Sequence, residues 1–170
     1  MNKKLKSLDI KAVYDIQINS SGAAALMSLV ELKSLNRRYK LTSDVWIRLI
    51  TDKGTISLFA EEGFIFDGRS GSPLLDWYAP NLGSLYERIM WLVHDLLGYA
   101  TCLDFKTTNK VLRYGLRDQC SYRASKAFII EKAVSISDDW FGTPKQTDWC
   151  YNNISKINVT FLASDINDKY

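Results

Sequence analysis

A β-hairpin pattern in the first half of the chain constrains the fold more than any other feature. Val45–Ile50 is a run of β-branched, aromatic and leucine residues, and Thr55–Phe59 alternates apolar with polar residues. Asp52-Lys53-Gly54 between them is a good turn sequence. Two such runs joined by a short glycine-containing loop are typical of antiparallel strands. The sequence therefore predicts a hairpin with a three-residue loop.

The same β-type pattern extends over residues 27–66. It begins with Met27–Leu32, which a polar turn at 36–38 separates from the hairpin. An alternative is a helix that starts at Gly22-Ala-Ala-Ala25 and runs into Leu35. We prefer a strand here, because Leu29-Val30 and the turn that follows fit a strand better.

Two further segments flank this β region. Residues 1–20 are predicted to be a polar leader with a short amphipathic stretch at Ile10–Ile18, and its order is left open. Residues 63–80 carry three glycines and two prolines, which predicts a loop. Long loops inside compact domains are often functional.

The second half of the chain has a helical pattern over residues 84–137. Ser84 and Glu87 have the spacing of a capping box at the start of the first helix, and Gly98 is a plausible stop. Further helices are predicted over 104–116 and 121–134. Residues 138–170 are predicted to be a loop-rich tail, in which 158–162 could form a strand or a packing arm. Strands followed by helices predict an α+β fold, with about three helices packed on a small antiparallel sheet.

Composition narrows the class of protein. A chain of 170 residues with 46% hydrophobic residues predicts one domain, spanning 1–170. A net charge of +3 from scattered basic residues argues against dedicated nucleic-acid binding. The weak case for it would rest on Arg113, Arg117 and Arg123. Three widely spaced cysteines favour a reducing compartment. No membrane span or signal segment is recognised, so a cytoplasmic location is expected.

The candidate site centres on His94, the only histidine in the chain. His94 and Asp95 interrupt a strongly apolar helix. Adjacent helical residues diverge by about 100°, so the two side chains are not expected to share a face closely. Burying such groups without partners is costly. They must therefore reach a cleft or find hydrogen bonds in the core.

Two other carboxylates extend this site. Asp67 lies in the Gly/Ser/Pro loop, where it could instead shape a turn, and Asp104 opens the next helix. A metal set of His94, Asp67 and Asp104 would suit a divalent ion such as zinc, manganese or magnesium. Metal-free acid–base catalysis by His94, Asp95 and Asp67 is the alternative. No nucleophile motif, P-loop or dinucleotide fingerprint is present.

These motifs together resemble a family of small proteins of tailed phages and prophages whose function is unknown. The resemblance covers roughly residues 27–140. Its loop motif is matched by Gly63, Phe64, Asp67 and Ser70, its helical His-Asp pair by His94 and Asp95, and its later acidic residue by Asp104. The resemblance implies a phage origin and supplies no reaction. The chain departs from the family pattern at Thr101-Cys102-Leu103, where the family usually has an arginine.

Two hypotheses of function follow, and the sequence does not decide whether the chain is an enzyme. The first is a small hydrolase in which a metal ion or His94 assists the attack of water. The second is a non-catalytic phage protein that binds a host or phage protein, as an inhibitor of host defence or an assembly factor. In that case His94 and Asp95 form a structural latch, and aromatic residues such as Trp140 and Trp149 could anchor a partner.

Overall fold

A computed structural model describes residues 7–29, 31–32, 39–66, 79, 82–99, 103–141 and 156–163. In chain order, the elements are β1 (Val13–Ile18), α1 (Ser20–Met27), β2 (Tyr39–Lys40), β3 (Val45–Thr51), β4 (Gly54–Ala60), β5 (Ile65–Phe66), α2 (Leu85–Tyr99), α3 (Phe105–Gln119), α4 (Ala124–Phe141) and β6 (Ile157–Ala163). The fold is α+β, as predicted.

The main sheet is antiparallel and four-stranded, in the order β1-β3-β4-β6. β2 and β5 form a separate two-stranded sheet. The predicted hairpin is present as β3 and β4. Thr51 pairs with Gly54, which leaves Asp52 and Lys53 as a turn one residue shorter than predicted. Gly54 has a φ of 138°, a conformation that favours glycine.

Helices cover one face of the main sheet. α1 packs on β3, α2 on β4 and β6, and α3 on β1. β3 alternates strictly over most of its length, with Val45, Ile47 and Leu49 buried and Trp46 and Arg48 exposed. The hydrophobic core lies between this sheet face and the helices. The opposite face carries the exposed residues of the strands, and we call it the open face.

The strand prediction for Met27–Leu32 is wrong over the described residues, where Met27 ends α1 and Glu31 forms only an isolated bridge to Tyr39. The alternative helix forms as α1, but it begins at Ser20 and ends at Met27 before reaching Leu35. Three consecutive alanines have the highest helix propensity. Gly22 allows a close approach to the sheet, since a Cβ there would lie 3.1 Å from Val45 Cγ1 and 2.3 Å from Asn19 Oδ1. Local helix propensity and packing on β3 together outweigh the β-type pattern.

The boundaries of the predicted leader and tail also change. Val13–Ile18 forms β1, a paired strand of the main sheet, instead of belonging to a leader over 1–20. Residues 138–141 belong to α4, and 157–163 form β6 beside β4. The first of the predicted helices runs past Gly98 to Tyr99. The sheet therefore takes one edge strand from each end of the chain.

α2, α3 and α4 form an antiparallel stack. Met90 of α2 reaches Gly115 of α3, where a Cβ would lie only 2.3 Å from the Met90 Cε. The absence of a side chain at Gly115 therefore lets α2 and α3 approach closely. This close approach brings His94 against α3.

Candidate functional site

His94 lies on α2 and is buried, with 7% of its surface exposed. Its Nε2 is 2.9 Å from Oδ1 of Asn109 on α3. The amide of Asn109 also donates from Nδ2 to Oγ of Ser135 on α4, at 3.1 Å. Ser135 in turn donates to the backbone carbonyl of Glu131, at 2.8 Å. These contacts join all three helices, and we call His94, Asn109 and Ser135 the interhelical polar chain.

The direction of these bonds determines where the His94 ring carries its proton. A backbone carbonyl only accepts, so the Ser135 hydroxyl must donate to Glu131. Its lone pair then accepts from Asn109 Nδ2, and the amide oxygen is left facing the ring. Because an amide oxygen also only accepts, His94 Nε2 carries a hydrogen. In neutral His94 the basic atom is therefore Nδ1.

Asp95 lies beside that basic atom. Its Oδ1 is 3.8 Å from His94 Nδ1, and both side chains are at most about one tenth exposed. The expectation that the pair could not meet is therefore wrong. Their angular separation of about 100° therefore does not keep these two side chains apart. The distance exceeds that of a hydrogen bond, so this contact is electrostatic.

Asp104 is the N-cap of α3. Its Oδ1 accepts from the backbone N–H of Thr107 at 2.7 Å. Burial acts to raise the pKa of Asp104, but hydrogen bonds from Thr107 and Ser7 and the charge of Lys106 together outweigh it, so the pKa is lowered. The carboxylate thus stays ionised and serves the helix end. This assigns Asp104 a structural role that its sequence position at the start of a helix already indicated.

The other predicted ligand, Asp67, lies outside the described residues, as does Ser70 of the loop motif. Gly63 and Phe64 of that motif are described. Gly63 has a φ of 85°, and Phe64 is fully buried. Within the described ranges, no group of three or more His, Cys, Asp or Glu side chains could hold a metal ion.

A second polar cluster surrounds Glu87, seven residues before His94. Ser84 N–H donates to Glu87 Oε2 at 2.7 Å, and Glu87 N–H donates to Ser84 Oγ, which confirms the predicted capping box. The Tyr122 hydroxyl also donates to Glu87. Burial raises the pKa of Glu87, but the bond from Tyr122 and those from Ser84 lower it overall. This cluster secures the start of α2 to the α3–α4 junction.

Cys120 adjoins this cluster and is not an activated thiol. Burial, aided by the negative charge of Glu87, raises the pKa of Cys120 to about 12. Burial and the same carboxylate raise the pKa of Tyr122. Nucleophilic cysteines need a lowered pKa. The cluster around Glu87 is therefore built for holding the helices.

No protein-family model, curated protein or solved structure matches this chain. Interpretation of the site thus depends on its own geometry.

The geometry also accounts for two of the three arginines on which nucleic-acid binding would rest. Arg113 pairs with Glu131 at 3.0 Å and lies over the rings of Tyr114 and Phe128. Arg117 donates to the carboxylate of Asp118. Both guanidinium groups are engaged within the chain. Arg113 links α3 to α4, and Arg117 links α3 to the backbone carbonyl of Lys11, so the two do not form an open basic stripe.

Sequence reasoning missed Asn109 and Ser135, which complete the site. Asn109 is buried inside α3, where an amide is an unusual choice. The sequence signal that could have found it is a polar residue on the apolar face of an amphipathic helix.

The described helices include none that is long and apolar enough to cross a membrane.

Proposed function

We propose that this chain is a non-catalytic, phage-encoded protein that binds a host or phage protein, and that His94 is the centre of a structural latch. The interhelical polar chain carries this proposal. The donor and the acceptor of each of its hydrogen bonds are assigned, and the bonds link three helices. The proton on His94 Nε2 takes part in the bond to Asn109, which joins α2 to α3. A polar group in such a role specifies one helix arrangement.

The roles of the neighbouring groups support the same proposal. Asp104 caps a helix and Glu87 closes a capping box, so both carboxylates are committed to local structure. His94 is also nearly inaccessible, whereas a general base must reach its substrate's proton. Large apolar side chains are instead exposed elsewhere, among them Trp46 on the sheet. Exposed aromatic residues commonly anchor protein interfaces.

A hydrolase assisted by His94 is the second candidate. The observation that favours it is the position of Asp95, whose carboxylate faces the basic Nδ1 of His94. A carboxylate in that place can stabilise a protonated ring. This candidate also needs a route for water and substrate to Nδ1.

NMR spectroscopy of the ring nitrogens tests the proposal directly, because one histidine gives one set of signals. We expect the neutral ring to be protonated at Nε2, with a hydrogen that exchanges slowly with solvent. Asn109→Leu should accelerate that exchange, whereas Asn158→Leu, an exposed amide on β6, should leave it unchanged. A ring protonated at Nδ1 would contradict the latch. Hydrolysis of a general ester or phosphoester substrate that disappears in His94→Gln would establish the second candidate instead.

A further inference from the structure

Trp46, which is exposed, and Phe59, which is partly buried, form an aromatic pair on the open face of the main sheet. They are directly opposite each other on β3 and β4, with ring centroids 4.3 Å apart. Strand alternation turns both away from the helices, and Trp46 is 57% exposed. A cross-strand aromatic pair stabilises a hairpin only modestly, and a smaller residue than tryptophan would suffice for that. Trp46 therefore offers contact area beyond what the hairpin needs.

Carboxylates border this pair at one end of the sheet. Asp44 precedes β3, and Glu61 and Glu62 follow β4. Because β3 and β4 are antiparallel, the start of one lies beside the end of the other. Asp44 accepts from the backbone N–H of Glu62 at 2.8 Å, which holds the three residues together. We call Trp46, Phe59, Asp44, Glu61 and Glu62 the acidic aromatic patch.

The acidic aromatic patch carries three carboxylates, although the chain as a whole has a net charge of +3. All three carboxylates are exposed, and neither Glu61 nor Glu62 forms an ion pair with a described residue. The nearby cations are Lys156 and Lys40, whose side chains lie around Gly63, and Arg48 lies further along β3. Three exposed carboxylates beside an exposed tryptophan complement a basic, apolar ligand and disfavour a nucleic-acid backbone.

We propose that the acidic aromatic patch is the docking surface for a partner protein, and that the partner presents a large apolar side chain flanked by lysine or arginine. The apolar side chain would pack on Trp46 and Phe59, and the basic residues would meet Glu61 and Glu62. Desolvated aromatic contacts supply most of the affinity at such surfaces, and the charges supply selectivity and speed. This inference rests on the proposed protein-binding function and assigns it a place and a partner chemistry.

Three synthetic peptides of equal length test the patch. Each has a central leucine–tryptophan pair, flanked by lysine in the first, serine in the second and glutamate in the third. Titrations are followed by isothermal calorimetry and by the indole N–H resonance of Trp46. We expect the lysine peptide to bind at least tenfold more tightly than the glutamate peptide, with a preference that weakens as salt is added.

Matched variants locate the binding. Trp46→Ala should weaken the lysine peptide roughly tenfold or more, the loss typical of a central interface residue. Tyr86→Ala is the control, because Tyr86 is 45% exposed on α2, away from the sheet. Glu61→Gln with Glu62→Gln should reduce the preference for the lysine peptide without changing the fold.

Several results would overturn the proposal that this patch is the docking surface. With the peptides, they are equal affinity for all three, absence of binding, or binding that survives Trp46→Ala. Tighter binding of oligothymidylate than of the lysine peptide would overturn it too, as would a dimer in sedimentation that Trp46→Ala dissociates. Peptide binding that persists in Trp46→Ala would leave the protein-binding function in place. A hydrolytic activity that requires His94 would contradict the proposed function whatever Trp46 does, so the two failures are distinguishable.

Discussion

The two regions of greatest interest invert the usual distribution of residues. On α2–α4, polar groups lie in the core, where His94 and Asn109 are buried and bonded to each other. On the open face, the large apolar ring of Trp46 lies at the surface against the partly buried ring of Phe59. A buried polar group with every bond made fixes how elements pack, whereas an exposed apolar group adds little to folding and remains available for contact. The first arrangement serves structure, and the second serves binding.

Among the polar groups, the largest expected effect comes from breaking the interhelical polar chain at its middle. Asn109→Ala removes the acceptor of His94 Nε2 and the donor to Ser135 in one change. Because buried polar groups then lack partners, we expect unfolding by urea to show a loss of about 2–4 kcal/mol. A loss below about 1 kcal/mol would mean that the chain of bonds does not hold the helices.

A double variant sharpens this measurement. His94→Leu removes the ring that Asn109 Oδ1 contacts, and Asn109→Leu removes the amide that His94 Nε2 contacts. Because the double variant removes both partners at once, it should be more stable than the sum of the single losses predicts. Strict additivity would show that the two side chains are not coupled in the folded protein.

Sequence patterns predicted what depends on neighbouring residues. The hairpin turn, the capping box of Ser84 and Glu87, and the helix opening at Asp104 are local features, and all three are present. Asn109 and Ser135 were missed because their partners are 15 and 26 residues away and meet only through helix packing. β6 was left open between a strand and an arm for the same reason, since its pairing with β4 spans most of the chain.

Asp104 is partly buried, less than His94 and more than Trp46, and a smaller effect is expected there. Asp104→Ala removes the N-cap bond to Thr107 and should cost about 1 kcal/mol. Because the pKa of Asp104 is lowered from 3.8 in the folded protein, its ionised form stabilises the fold above that pH. The difference in unfolding free energy between the protein and Asp104→Ala should therefore shrink as the pH falls through the lowered pKa. A difference that grows in acid would contradict this assignment.

On the open face, Trp46→Ala should cost only about 0.5–1 kcal/mol, through the lost pairing with Phe59. Thermal unfolding measures this, with Ile47→Ala as the buried comparison on the same strand, where about 2–5 kcal/mol is expected. The prediction separates binding from stability, since Trp46→Ala should impair peptide binding far more than folding. A loss at Trp46 as large as that at Ile47 would mean that the open face belongs to the core.

The smallest net effect on stability is expected at Trp91. This core residue tests whether a buried polar group without a hydrogen bond destabilises the fold. Trp91 is 1% exposed, yet no described residue accepts a hydrogen bond from its Nε1. Trp91→Phe removes an unpaired buried donor, which is a gain of about 1–3 kcal/mol, and leaves space for the smaller ring, which is a loss of similar size. Urea unfolding should therefore show a change near zero. A loss as large as that of Asn109→Ala would contradict this balance of gain and loss.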